Sequence, residues 1–234
     1  MAGFDFYVQK KEDLINAVEE FGFVPLFKNS VPGFSVEEHA SPAVWYNAVD
    51  DNWPVWEWKG PVIRETGCAY GKFFEHKAVF VSRKWFPDFA NFRRDGYDFD
   101  ARFDDGLASY REKDLFDLLD KHAPVLSRTL KEEGDYRKGG KKGFDTVMNH
   151  LQAMCYAVIS DFVYLKSKSG QTYGWGVAEY STPEKLMGRA FTDEVYRKTP
   201  EESCALVLEQ LMKLVPEASE NAVRKLLGAA KKNS

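Results

Sequence analysis

HAPVLSRTLKEEGDYRKGGKKGFDTVMNHLQAMCYAVISDFVYLKSKSGQTYGWGVAEY, residues 122–180, decides the fold. Residues 124–127 lead into a short helix, with Ser127 offering the N-cap hydroxyl and Leu130 the inward side chain. Residues 134–142 form a Gly- and Lys-rich turn too polar to bury. Beyond it Phe144, Val147, Met148, Leu151, Met154 and Cys155 recur at i, i+3, i+4, i+7, i+10 and i+11, one apolar stripe of an amphipathic helix. Thr146, Asn149, Ala153 and Tyr156 take the opposite face, flanked by His150 and Gln152. Residues 161–168 and 172–180 alternate as strands around the turn Lys168-Ser169-Gly170-Gln171. Residues 107–122, with Leu115, Leu118 and Leu119 inward, supply the helix before this run. Helix, helix, helix and hairpin in that order predict a winged helix over residues 107–180.

Working outward, residues 1–106 read as an aromatic-rich helical region with short strands, and residues 181–234 as a helical extension packed on the rest. Residues 10–21 form a helix with Leu14, Val18 and Phe21 inward and Gly22 closing it. Residues 23–33 are extended or loop, and Ser35 with Glu38 has capping-box spacing. Residues 77–81 alternate like a strand, and Ser82 caps a helix ending near Arg93 and Arg94. Past the hairpin, Thr182-Pro183 and Thr199-Pro200 each place Pro at a first helical position. Ala205, Leu208, Leu211 and Met212 form the stripe of one helix, and residues 219–227 form a last one closed by Gly228. The fold class is α+β, mainly α: a winged helix-turn-helix core with flanking helices, with tandem winged helices as the alternative.

The 234 residues suffice for a sizeable core, as one large domain or two small ones. No apolar run approaches the roughly 18 residues of a membrane span, and no basic start followed by an apolar core marks a leader. Cys68, Cys155 and Cys204 are odd in number and widely spaced, which fits reduced thiols and a cytoplasmic location. The net charge of −4 argues against indiscriminate coating of nucleic acid. Its distribution is uneven: residues 128–142 hold six Lys/Arg against three acids, and residues 95–120 hold nine acids against three bases.

The sharp catalytic motifs are missing. No His-Glu-x-x-His, Cys-x-x-Cys or Gly-x-Ser-x-Gly occurs, so neither a metal nor a cofactor is expected. The glycines and lysines of residues 134–142 are out of register for a phosphate loop. What remains is charge and shape. Arg128, Arg137, Lys138, Lys141 and Lys142 before the third helix, and Lys166 and Lys168 in the wing, stand where a winged helix meets phosphates. Thr146 and Asn149 are of the types that reach base edges or phosphates. Trp45, Trp56, Trp58 and Trp85 either fill an aromatic core or form a platform on which bases stack. Asp98 and Asp100 would share a face on an extended chain and could hold a metal or share a proton, or simply favour turns.

The motif His122-Ala-Pro-Val-Leu-Ser-Arg-Thr-Leu-Lys131, followed by Lys141-Lys142-Gly-Phe144 and residues 147–151, resembles the winged-helix core of the AlkZ/YcaQ-type DNA glycosylases. Phe73-Phe74-Glu75-His76-Lys77-Ala78-Val79-Phe80, leading to Phe86-Pro87 and Arg93-Arg94, resembles that family's central segment. The similarity spans residues 73–180 and is closest to a short AlkZ-related subgroup with residues 95–106 as its hallmark. The resemblance implies tandem winged helices around a channel for double-stranded DNA and excision of alkylated or cross-linked bases. The family's catalytic signature is Gln-x-Gln or Gln-x-Asp after an N-terminal Gly-containing turn. Here the matching place is Gly22-Phe23-Val24-Pro25-Leu26-Phe27, which has neither residue, and Gln9, Gln152, Gln171 and Gln210 form no such pair. A nucleic-acid-binding relative without that excision chemistry is therefore expected. The alternatives are an enzyme using Asp98 or Asp100 and a protein-interaction module.

Overall fold

The computed structural model describes residues 3–50, 52–166 and 172–229. Two units share one connectivity. The first runs α1 (Lys11–Phe21), β1 (Phe23–Pro25), α2 (Val36–His39), α3 (Pro42–Trp45), α4 (Pro54–Thr66), then the hairpin β2 (Ala69–Phe74) and β3 (Lys77–Val81). Helices α5 (Phe86–Arg94) and α6 (Phe99–Asp104) follow. The second unit runs α7 (Tyr110–His122), β4 (Val125–Leu126), α8 (Ser127–Glu133), α9 (Phe144–Ala153), then the hairpin β5 (Val158–Lys166) and β6 (Thr172–Ser181). Helices α10 (Pro183–Met187), α11 (Arg189–Thr192), α12 (Pro200–Leu214) and α13 (Glu220–Leu227) complete the chain. Each unit is winged-helix-like: helix, strand, helices, then a hairpin whose second strand pairs with the strand after the first helix. The fold class is thus α+β, mainly α, with the winged-helix-like arrangement present twice.

The two small sheets fuse into one, in the order β1-β3-β2-β5-β6-β4. That order is symmetric about the β2–β5 seam, where Tyr70 pairs with Ile159 in antiparallel sense. With the one-turn helices α2 and α3 counted together as the counterpart of α8, the third helices are α4 and α9, and they repeat the symmetry, since α4 packs on β5 and α9 packs on β2. Glycine permits both crossings. A Cβ on Gly60 of α4 would stand 2.6 Å from the Asp161 carboxylate on β5. A Cβ on Gly71 of β2 would stand 2.8 Å from the Phe73 ring and 3.3 Å from Gln152 Oε1 on α9. One apolar cluster fills the first unit and continues under α12 and α13, and a second, smaller one centres on α7, α8 and α9.

Most sequence expectations hold. The stripe Phe144, Val147, Met148 and Leu151 is buried, as are Leu14, Val18 and Phe21 of α1. Others need correction. Ser127 is the first residue of α8 and Leu126 its N-cap. α7 starts at Tyr110 behind a Ser109–Glu112 capping box, leaving Leu107 exposed. Trp85, rather than Ser82, is the N-cap of α5. Asp98 and Asp100 do not lie on an extended chain, because Asp98 caps α6 and Asp100 sits in its first turn. Tyr156 lies beyond α9 and is buried against Phe99 and Phe116, not outward. Ala205 is exposed, while Val207 and Leu214 join Leu208 and Leu211 in the core. α4 has no counterpart in the sequence reading. The wing turn 168–171, including Lys168, lies outside the described residues, as does the Lys166 side chain. No described helix is long and apolar enough to cross a membrane.

Candidate nucleic-acid interface

The turn between α8 and α9 folds on its own backbone: Lys141 N donates to Asp135 O at 2.5 Å and Gly140 N to Arg137 O at 2.9 Å. Tyr136 fastens it to α9 by meeting the Phe144 ring edge-on, with centroids 5.3 Å apart. An open depression of about 500 Å³ results, bounded by Tyr136, Lys138, Lys142 and the start of α9. The N-cap of α9 is Gly143, which has no side chain to cap with and leads into the helix with φ 89°.

Half of the basic residues here are already matched. Arg137 pairs with Glu132 at 2.6 Å, Lys141 with Asp114 at 3.2 Å, and Lys131 with Asp145 at 3.1 Å. Arg128, Lys138 and Lys142 are exposed and make no ion pair among the described residues. On α9, Thr146 is exposed and Asn149 half-buried. The neighbouring His150 contacts Glu112 of α7 through Nδ1. Gln152 turns inward, its Oε1 accepting from Lys72 N at 3.2 Å.

The tryptophans lie elsewhere. Trp45, Trp56 and Phe27 form a triangle with centroids 5.4–6.2 Å apart. Trp58 and Trp85 are half-buried on the same core, Trp85 lying 6.0 Å from Phe23. Asp98 accepts the Ala101 amide at 2.8 Å, and Asp100 is a surface acid 3.4 Å from Lys113. These carboxylates and the tryptophans are not joined in one site by any contact among the described residues. No group of three or more His, Cys, Asp or Glu side chains suited to a metal occurs among the described residues.

Segment 22–27, where the resemblance puts catalytic amides or carboxylates, is β1 and its flanks. Phe23, Val24 and Leu26 are fully buried there.

Two features escaped the sequence reading. Arg94, 1 % exposed, donates to Glu184 at 2.7 Å, to the Tyr196 hydroxyl at 2.9 Å and to Cys155 O at 2.8 Å. Its position at a helix end announced only a C-terminal charge. On α4, the Lys59 amine sits 4.4 Å from the Trp56 centroid and 4.2 Å from that of Phe162. Burial lowers that amine to about 8, against the pull of Glu57, which raises it.

Fold and surface together define a tandem winged-helix-like protein with a basic turn ahead of one third helix. The family model described as AlkZ related matches residues 8–228, and the chain belongs to that family, which ties it to DNA-glycosylase-related proteins. The match takes in both units and the helices α10 to α13, well beyond the stretch that carried the resemblance. No curated protein and no solved structure matches.

Proposed function

We propose that this chain binds double-stranded DNA through the turn before α9, with the β5–β6 wing beside it, and that it lacks the water-driven base excision of its family. The observation that carries this reading is the pair Lys138 and Lys142, exposed, without an ion pair among the described residues and lining an open depression at the start of α9, with Arg128 exposed and likewise unmatched on α8. Such cations gain affinity by releasing counterions from phosphates. Thr146 and Asn149 border this surface, but α9 is pinned to β2, so contacts to the backbone and to duplex shape dominate over base reading.

The excision half rests on segment 22–27. A water attacking the sugar needs a side chain to orient it and to balance the developing charge. Phe23, Val24 and Leu26 offer only buried hydrocarbon. Asp98 and Asp100, which serve as a helix cap and a surface ion-pair partner, are weak substitutes.

The test is a titration of fluorescent duplex at several salt concentrations. Three free cations correspond to a log–log salt slope of about −2 to −3. Lys138→Ala with Lys142→Ala is expected to weaken binding across unrelated sequences and to flatten the slope by about 2. Lys141→Ala, which removes a residue already paired with Asp114, is expected to do much less. An unchanged slope in the double variant would remove this surface from consideration.

A further inference from the structure

We propose that the amine of Lys59, held between Trp56 and Phe162 where α4 crosses β5, forms a Schiff base with the aldehyde of an abasic sugar. The inference rests on the nucleic-acid reading above and gives it a chemistry that needs no water-orienting amide.

The geometry isolates one amine. Lys59 has no carboxylate ion pair among the described residues, and its Nζ is flanked by two ring faces at 4.4 and 4.2 Å. The charged groups on this contact are engaged elsewhere. From α4, Arg64 pairs with Asp161 of β5, and Glu57 faces the Tyr164 hydroxyl of β5, whose ionisation it opposes after burial. On the α1 side, Lys11 pairs with Glu65 at 2.5 Å. α3 contributes the aromatic Trp45, 6.2 Å from Trp56. Rings favour an ammonium and so does Glu57, but burial outweighs Glu57 and brings the amine to about 8. An ordinary lysine sits near 10.4, so at neutral pH the reactive free-base fraction at Lys59 is about 200-fold larger.

The chemistry balances without an added oxidant or reductant. The free amine adds to C1′ of the ring-opened sugar, forming a C–N bond and a carbinolamine. Proton transfer to the hydroxyl expels one water and leaves the imine, and addition of water reverses the sequence and frees Lys59. Phe162 lies on β5, the first strand of the wing hairpin, which the reading above sets beside the duplex.

Two arms test the proposal. In the first, protein and abasic-site duplex are mixed with sodium cyanoborohydride, which reduces an imine to a stable amine, and the cross-linked band is quantified with duplex affinity measured on the same samples. Lys59→Arg keeps the charge and the packing, and it is expected to cut the cross-link at least 10-fold while leaving affinity within twofold. In the second arm, butyraldehyde replaces the duplex and labelling is resolved by mass spectrometry. Lys59 is expected to react about 10-fold or more ahead of Lys142 at pH 7, with the advantage shrinking as pH rises above 8. A full-strength cross-link in Lys59→Arg, or no preference for Lys59 with butyraldehyde, overturns the inference. Duplex binding without any cross-link overturns this inference alone. Loss of duplex binding with selective butyraldehyde labelling intact overturns the nucleic-acid reading and the abasic-sugar assignment with it.

Discussion

Gly22 closes α1 with φ 81°, and the indole of Trp85 lies directly against it. A Cβ at that position would be 2.2 Å from Trp85 Cδ1, so a substitution meets both a strained backbone and a clash. Gly22→Ala is expected to cost about 2 kcal/mol or more and to lower the midpoint of thermal unfolding by several degrees, measured by circular dichroism. The sequence identified Gly22 as a helix terminator from its spacing alone. It could not disclose that Trp85 caps the same corner, because that contact joins residues 63 positions apart in the chain. Glu112 gives a second test. Burial opposes its ionisation, but the Ser109 amide and hydroxyl and then His150 outweigh burial and hold the carboxyl below its ordinary value. A depressed folded-state value contributes stability that is present above the unfolded pKa and lost as pH falls through the folded one. The stability gap between the protein and Glu112→Gln is therefore expected to be full above the ordinary carboxylate range, by about pH 6, and to close as the pH falls toward about 3 in urea titrations.

The α8–turn–α9 segment was readable because a single stripe, Phe144, Val147, Met148 and Leu151, faces one core. α4 was not. Its sequence PVWEWKGPVIRET carries Pro at the first position and again at Pro61, and it faces several neighbours at once, α1, α3 and β5. A helix packed on several sides shows no clean periodicity, and tryptophans suit either a core or a platform. Asp98 misled for a different reason. Carboxylates two residues apart look paired on an extended chain, whereas the same Asp is an ordinary N-cap when a helix follows. The basic turn was readable in composition but not in its available charge, since Asp114 and Asp145, which neutralise Lys141 and Lys131, come from other elements. Gln152 marks the packing of α9 on β2. It is fully buried, bonding Lys72 N at 3.2 Å and Met148 O at 3.3 Å. Gln152→Ala leaves the Lys72 amide without its partner and is expected to cost about 1–3 kcal/mol. Duplex affinity per folded molecule should be retained, because the charged turn is untouched. A selective loss of affinity without loss of stability would instead make Gln152 part of the binding surface.

Across the whole molecule, two winged-helix-like units share one six-stranded sheet, and each third helix leans on the other unit's hairpin. Neither unit can leave without breaking the β2–β5 seam and both helix crossings. Arg94 adds a polar tie. It reaches from α5 to Cys155 between α9 and β5, to Glu184 on α10 and to Tyr196 beyond α11, and its guanidinium lies 4.5 Å from the Tyr156 centroid and 5.1 Å from that of Phe191. The hydroxyls of Tyr156 and Tyr196 both donate to Tyr97 O at 3.0 Å, joining the segment after α5 to the same cluster. Replacing one member of a buried pair typically costs about 3–5 kcal/mol. The Glu184 side chain is 37 % exposed and can recover some hydration, which puts Arg94→Met nearer roughly 3 kcal/mol. Glu184→Gln keeps an acceptor for the guanidinium and is expected to cost less. Because the tie spans both cores, tryptophan fluorescence, weighted to the first unit, and far-ultraviolet circular dichroism, which samples every helix, should report one shared transition in Arg94→Met, displaced equally in urea. Two separated transitions would mean that the seam alone does not hold the units together, and that Arg94, more than the shared sheet, makes the chain unfold as one.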